Sequence, residues 1–424
     1  MTVSPTEPVA AGVRSSGFRR LWMATGAANL ADGITLAAAP LLAASVTRDP
    51  VLVSGLVVAQ RLPWFVFTLP SGVLVDRYDR RRMMFVANLL RGAALAGLGV
   101  SLAVGVEHLS VLYATVFLLG TAETVVDNAA LAVLPAIVRK DDLERANGRI
   151  FATQSVLNEL VGPPAGSALF AVAAVSAFLT GGAAFAIAGA LVAFVPTLRH
   201  EPDPDAPAML GAIREGFAWF WQHRLIRTVA IIAGVSNFFS AATLGVLVLV
   251  AQERLGLGDA GYVVLLSFAA IGGIAGAALA PRIIDRIGQG PSLVFVDLGL
   301  QALGALGVAI TTSPAVAAVM LAFGSFAGGI GNVIVITLRQ AAVPDELLGR
   351  VTSAYRLVGL GALPVGALFG GILARNVGLT APFYAATIGL VIAAACVSRI
   401  VTTSAYQAAV DAGTDPHAQP RVEQ

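Results

Sequence analysis

Asp32, Arg61, Glu123 and Asp127 each lie inside a run of apolar residues long enough to cross a bilayer. At the bilayer centre a charged side chain costs about 2.5–3.5 kcal/mol on insertion scales, so such residues face the protein interior and pair, bind or titrate. A carboxyl withdrawn from water holds its proton more readily, whereas one in a permanent ion pair holds it less. Two readings therefore stand for Asp32 and Glu123. They carry a coupled proton, with Arg61 as modulating partner, or they form fixed pairs with Arg61 or Arg91 that only hold helices together. Asp127 lies one helical turn from Glu123 on the same face and is a third candidate. Arg91, Glu159, Asp297 and Arg356 are further charges within apolar runs.

A denser charged group is the stretch from Gly72 to Arg82, Gly-Val-Leu-Val-Asp-Arg-Tyr-Asp-Arg-Arg-Arg. It separates two apolar runs and reads as a short turn at the membrane surface. Asp76 sits where the first run ends, and Arg77, Arg80, Arg81 and Arg82 can reach headgroup phosphates, helix carbonyl ends or Asp76 itself. Taken alone, the stretch is equally a positive-inside topology anchor. A worn copy follows later, where Asp285 and Arg286 precede Gln289, Gly290 and Pro291 in place of the arginine run.

The elements that position these groups follow from composition. With 57% hydrophobic and 12% charged residues among 424 and a mean hydropathy of +0.81, the chain carries more apolar surface than a soluble domain can bury. Apolar runs at 18–46, 51–75, 83–104, 109–138, 151–174, 175–195, 226–250, 261–284, 291–310, 313–338, 351–374 and 382–401 predict an all-α membrane protein of about 12 spans. The implied organisation is a cytoplasmic N-terminal tail at 1–17, a six-helix bundle at 18–197, a linker at 198–225, a second six-helix bundle at 226–401 and a cytoplasmic tail at 402–424. In the linker, Leu210, Ile213, Phe217, Phe220 and Trp221 recur at helical spacing, as in a surface-lying amphipathic helix. Basic residues collect in the turns on the side of the N-terminus, while the other side keeps Arg48, Arg254 and Arg375, which places both termini in the cytoplasm. Arginine-rich usage, with Lys140 the single lysine, suggests a GC-rich bacterial source and hence the inner membrane.

The halves repeat one another. Gly148-Arg149 and Gly349-Arg350 stand before the fifth and eleventh runs, and Pro163 and Pro364 follow them at equal separations. A parallel repeat of six helices is the signature of a transporter built from two rocking halves. Glycines four apart, at 162 and 166, 272 and 276, 324 and 328, and 366 and 370, allow close helix approach. Other classes fit less well. His108, His200, His223 and His417 all fall in loops or tails, and the lone Cys396 forms neither an internal disulfide nor a thiol metal site. No phosphate-cradling loop of the Gly-Lys-Ser/Thr type occurs, so neither an enzyme nor an ATP-driven pump is expected, and no cofactor or metal. A net charge of +2 spread over short turns gives no reason to expect nucleic acid.

The Gly72, Asp76, Arg77 spacing and the arginines after it resemble the cytoplasmic loop motif of the major facilitator superfamily. Asp-Arg-Tyr-Asp-Arg-Arg-Arg-Met-Met looks like the version in its drug, macrolide and siderophore exporter branch, and Gly162, Pro163 and Gly166 match the Gly-Pro-x-x-Gly core of the exporter motif in the fifth helix. The resemblance implies proton-coupled efflux of an amphipathic small molecule by alternating access, by a monomer in the lipid bilayer. The Gly72–Arg82 loop, with Asp285 and Arg286, would be a cytoplasmic gate that closes on helix ends, and Gly162–Gly166 an exporter-type bend. A symporter importing a small metabolite is the alternative, and an intramembrane enzyme a more distant one. This sequence departs from the family in two places: Asp79 stands where a glycine is usual, and the fourth run lacks the arginine found in many proton antiporters.

Overall fold

The computed structural model describes residues 13, 15–196 and 217–414, and within that range a few side chains, those of Asp76 and Arg77 among them, lie outside the description. Every described element is helical. In the first part of the chain these are α1 (Ser16–Val46), α2 (Pro50–Arg77), α3 (Arg80–Ala103), α4 (Leu109–Ile137), α5 (Leu143–Gln154), α6 (Gly162–Val172) and α7 (Ala174–Ala193). After the linker come α8 (Arg224–Leu244), α9 (Asp259–Ile287), α10 (Gly299–Ile310), α11 (Pro314–Ala342), α12 (Asp345–Asn376), α13 (Ala381–Val397) and α14 (Thr403–Thr414). Ten of the described helical stretches are long and apolar enough to cross a membrane, one of them the composite Gln289–Ile310 that ends in α10, and α13 is a shorter apolar helix. A further span is built in pieces, since α5 and α6 are joined through a π-helical segment, Ser155–Val161.

The chain divides into two compact units. Unit 1 takes Met1–Val46 and Ala59–Pro204, and unit 2 takes Thr47–Val58 and Asp205–Gln424. In unit 1, α1 packs on α6 and α7, while α3 packs on α4 and α7. Unit 2 repeats the pairing: α8 packs on α12 and α13, while α10 packs on α11 and α13. The internal repeat read from short sequence matches is thus a repeat of packing. Glycine supplies the closest crossings in both units. Gly366 and Gly370 of α12 lie against the backbone of Phe238 and Ala242 in α8, as Gly162 and Gly166 of α6 lie against Gly33 and Ile34 in α1. Gly272 and Gly276 similarly meet Ala322 and Phe326, but Gly324 has nothing within 4 Å and Gly328 only the Gln301 amide at 3.9 Å. Gly324 instead offers its backbone to the crossing of α10 on α11, where a Cβ at Gly304 would lie 3.0 Å from the Gly324 nitrogen.

Unit 2 also holds the start of α2. There Asp49 lies 3.4 Å from Arg375, and Ser54 fills the space that side chains at Gly245 and Gly371 would need. Of the linker, the described end at 217–222 is helical. It seats Phe220 fully buried in the unit 2 core, leaving Trp221 exposed; Leu210 and Ile213 lie outside the described residues.

The turn between α2 and α3 closes without the usual glycine. Asp79 keeps a negative φ of −59° and caps α3, its carboxylate accepting the backbone N–H of Arg82 at 2.7 Å. An acid at this place satisfies an orphan helix donor and suits the positive end of the helix. The corresponding turn of unit 2 takes the other solution, with Gly288 at φ +84°, a region that side chains rarely adopt. Asp79→Ala is accordingly expected to lower stability by about 1 kcal/mol, and Asp79→Asn by less, because asparagine caps nearly as well. Thermal unfolding in detergent measures the difference, and equal melting of the two variants would show that the cap contributes nothing.

Candidate functional site

Asp32 lies on α1 midway along a helix that is largely buried, and Arg91 lies on α3. Arg91 donates from Nη2 to Asp32 Oδ1 in a short ion pair. The arginine side chain is 2% exposed and the aspartate 20%, so the pair is buried on one side and open on the other. The Phe185 ring of α7 covers the guanidinium at 4.0 Å from its centroid. Three helices thus converge on a charge that no single helix could hold in a membrane interior. Of the two arginines open to Asp32 on sequence grounds, the structure places Arg91 in contact.

Arg61 of α2 and Glu123 of α4 are both half-buried and close enough to act electrostatically on Asp32, and among the described residues neither makes an ion pair. Asp127, one turn along α4, is likewise half-buried. Next to it Asn128 donates to the Ser71 hydroxyl at 2.7 Å, tying α4 to α2. The four sequence candidates therefore divide: Asp32, Arg61 and Glu123 form one electrostatic group with Arg91, and Asp127 lies one turn away on the helix that carries Glu123.

The Gly162–Gly166 stretch adjoins this group. Pro163 and Pro164 have no N–H to donate and crowd the preceding turn, and the chain answers with the wider π-helical turn Ser155–Val161, where Gly162 N–H reaches back to the Leu157 carbonyl. The Leu157 and Asn158 carbonyls then face Gly33, beside Asp32, so closely that a Cβ there would come within 2.7 Å of each. Gly162 and Gly166 are buried in the same crossing. Pro364, at the corresponding place of unit 2, lies instead inside the continuous helix α12. A proline thus signals the broken helix only in unit 1.

The arginine cluster has its own partners. Arg81 donates to the Ala193 and Val195 carbonyls at 3.3 and 3.4 Å, and Arg20 of α1 donates to the Phe194 carbonyl at 2.7 Å. Both cations cap the C-terminal end of α7, where unpaired carbonyls and the helix dipole favour positive charge. Arg80 is half-buried and Arg82 exposed. Gly72, Asp76 and Arg77 belong to the α2 backbone, and their side chains lie outside the described residues. In unit 2, Asp285 and Arg286 are exposed in the last turn of α9 and, among the described residues, make no ion pair.

Sequence reasoning left the roles of Arg91 and Phe185 open. The signal for the first was present, since Asp32 and Arg91 are each the only ionisable residue in the interior of their spans. For Phe185, one aromatic among many in apolar runs, there was none.

Comparison with known proteins follows the same lines. The family model described as "Transmembrane secretion effector" matches residues 7–424. The chain is 25% identical to the enterobactin exporter EntS of Shigella boydii serotype 4 (strain Sb227) over 371 residues, covering 84% of this chain and 85% of that one. It is 24% identical to EntS of Escherichia coli O127:H6 over 318 residues, 73% of each. Two solved structures share its fold. A bacterial homologue of the human lysosomal transporter Spinster gives a TM-score of 0.72 at 14% identity, over 92% of this chain and 97% of that one. A bacterial homologue of the iron transporter ferroportin gives 0.69 at 16% identity, over 93% and 98%. The repeated helix pairing, the loop and glycine motifs and a match along nearly the whole chain converge: this is a multi-pass membrane transporter that belongs to the transmembrane secretion effector family of the major facilitator superfamily.

Proposed function

We propose that the chain is a proton-coupled exporter, moving an amphipathic small molecule of drug, macrolide or siderophore type out of the cytoplasm across the bacterial inner membrane. It works as a monomer by alternating access, with both termini cytoplasmic. The observation that carries this reading is the Asp32 group: a carboxyl open on one side, paired to a buried arginine, with a second carboxyl at Glu123 in electrostatic reach. Such a group can exchange Arg91 for a proton when water reaches it, and give the proton up when the pair re-forms. Arg61 tunes that balance from α2, and Asp127 extends the acidic face of α4. Because Asp32 neighbours Gly33, a change in its pairing is transmitted to the α1 and α6 crossing without any intervening side chain. The Gly72–Arg82 loop, with its counterpart at Asp285 and Arg286, serves as the cytoplasmic gate, and Arg81 anchors it on α7. Likeness to enterobactin exporters favours outward transport.

The test is proton movement in proteoliposomes that hold a pH-sensitive dye, challenged with lipophilic antibiotics, dyes and siderophores. The expected result is a compound-dependent pH change that Asp32→Asn reduces at least about tenfold, the consequence of removing a group essential to a transport cycle. Transport with no pH change, or a normal response from the variant, would overturn the coupling. A pH change of opposite sign would identify a symporter.

A further inference from the structure

Unit 2 contains a buried acid that the Asp32 group does not use. Asp297 lies in a π-helical segment, Ser292–Leu298, that leads into α10, and it is 5% exposed. Its Oδ1 accepts a hydrogen bond from Gln301 Nε2 at 2.5 Å. The carboxylate rests directly on Gly331 of α11, where any side chain would collide with both of its oxygens. Among the described residues it makes no ion pair.

The titratable and charged groups around it are few. From α12, Tyr355 is within electrostatic reach. Arg339, the one charged residue of α11, is engaged over the Tyr355 ring at 4.6 Å. The adjoining turn Gln289–Pro291 and α10 carry no charged residue, and neither does α13, whose Tyr384 and Cys396 are exposed. On α9, Arg282, Asp285 and Arg286 are exposed, and Asp259 lies in the first turn, at the opposite end of the helix from Arg286.

The internal repeat supplies a comparison. Asp297 stands twelve residues after Asp285, and Asn88 stands twelve residues after Asp76. Asn88 is 1% exposed, its amide donates to the Met84 carbonyl at 2.9 Å and its Oδ1 has no hydrogen-bond partner. Unit 1 thus carries a buried neutral amide at the corresponding place of the repeat, where unit 2 has an acid. An ionised carboxylate buried without a cation is costly. It needs either a proton or a bound ion; Gln301 supplies a neutral donor with no compensating charge, and among the described residues no group of three metal-ligating His, Cys, Asp or Glu side chains occurs. A π-helical turn, moreover, is a frequent mark of functional sites.

We propose that Asp297 is a proton-binding carboxyl of unit 2 that takes up and releases a coupled proton alongside the Asp32 group. This rests on the proton-coupled reading above. The test is infrared difference spectroscopy of the full chain in liposomes between acidic and alkaline buffer, which needs no substrate. One protonated-carboxyl component of the spectrum is expected to be lost in Asp297→Asn and kept in Asp32→Asn, and Asp297→Asn is expected to reduce proton movement in the dye assay. Gly331→Ala, which pushes a methyl group into the carboxylate, is expected to move the midpoint of the band by about one pH unit or more. A band unchanged in Asp297→Asn, or a midpoint unmoved in Gly331→Ala, overturns the assignment. Loss of the band with normal proton movement overturns the coupling role. If the wild-type chain transports without moving protons yet the band is lost in Asp297→Asn, the proton-coupled reading fails while Asp297 stands as a proton-binding group.

Discussion

Replacing Arg91 by leucine is expected to destabilise unit 1 by about 3–5 kcal/mol, the cost of removing one partner of a buried ion pair. The size follows from what is left behind. Arg91 is the cation in contact with Asp32, and Phe185 covers its other face, so deletion strips the charge compensation from a carboxylate inside the membrane. Leucine fills part of the volume but offers no donor. The double variant Asp32→Asn/Arg91→Leu tests the reasoning, because removing both charges often costs little or even stabilises. It is expected to melt well above Arg91→Leu alone, with a coupling energy of about 1–3 kcal/mol in the cycle. Additive losses would mean that the two side chains act independently, and the electrostatic group around Asp32 would lose its anchor. The double variant should also be inactive in the dye assay despite its recovered stability, which separates the role of the pair in folding from its role in transport.

The spans, their number and the twofold repeat were legible in the sequence because the bilayer leaves little choice: a backbone that cannot hydrogen-bond to lipid must form helices, and each must be about 20 apolar residues long. The identity of the ion pair was only half legible. That Asp32 needs a cation or a proton follows from its surroundings, but whether Arg61 or Arg91 pairs with it depends on the rotation of three helices about their axes, which spacing along one helix does not encode. The Asp79 cap was hidden for a different reason. One backbone bond from Arg82 replaces a left-handed glycine, and either solution closes the turn, as Asp79 and Gly288 demonstrate in the same chain. Glycine spacing marked a close approach at Gly324, where Gly304 packs on its backbone, but not at Gly328, because small residues permit close approach without compelling it. Asp297 was visible as an intramembrane acid, but that it makes no ion pair among the described residues became apparent only once Arg339 was found against Tyr355.

Gly162→Val is expected to be at least as damaging to transport as the loss of the ion pair, and by steric means alone. A Cβ at Gly162 would lie 2.5 Å from the Gly33 Cα and 2.6 Å from the Leu157 carbonyl oxygen, both backbone atoms with no side chain that could turn aside. Overpacking of a tight contact costs about 1–3 kcal/mol where the surroundings can adjust. Here they adjust only if α6 withdraws from α1, and Gly166, seated on Ile34, must withdraw with it. Gly33 follows Asp32 in the chain, so the displacement also changes the angle at which Asp32 meets Arg91. Gly162→Val should therefore lower the melting temperature and abolish the dye response, and Gly162→Ala should do so in part. Gly324→Ala is the control, because with nothing within 4 Å of its Cβ it should be neutral or slightly stabilising through helix propensity. If Gly162→Val were tolerated as well as Gly324→Ala, the close crossing of α1 and α6 would not govern the site, and the geometry of Asp32 would have to be set by α3 and α7 alone.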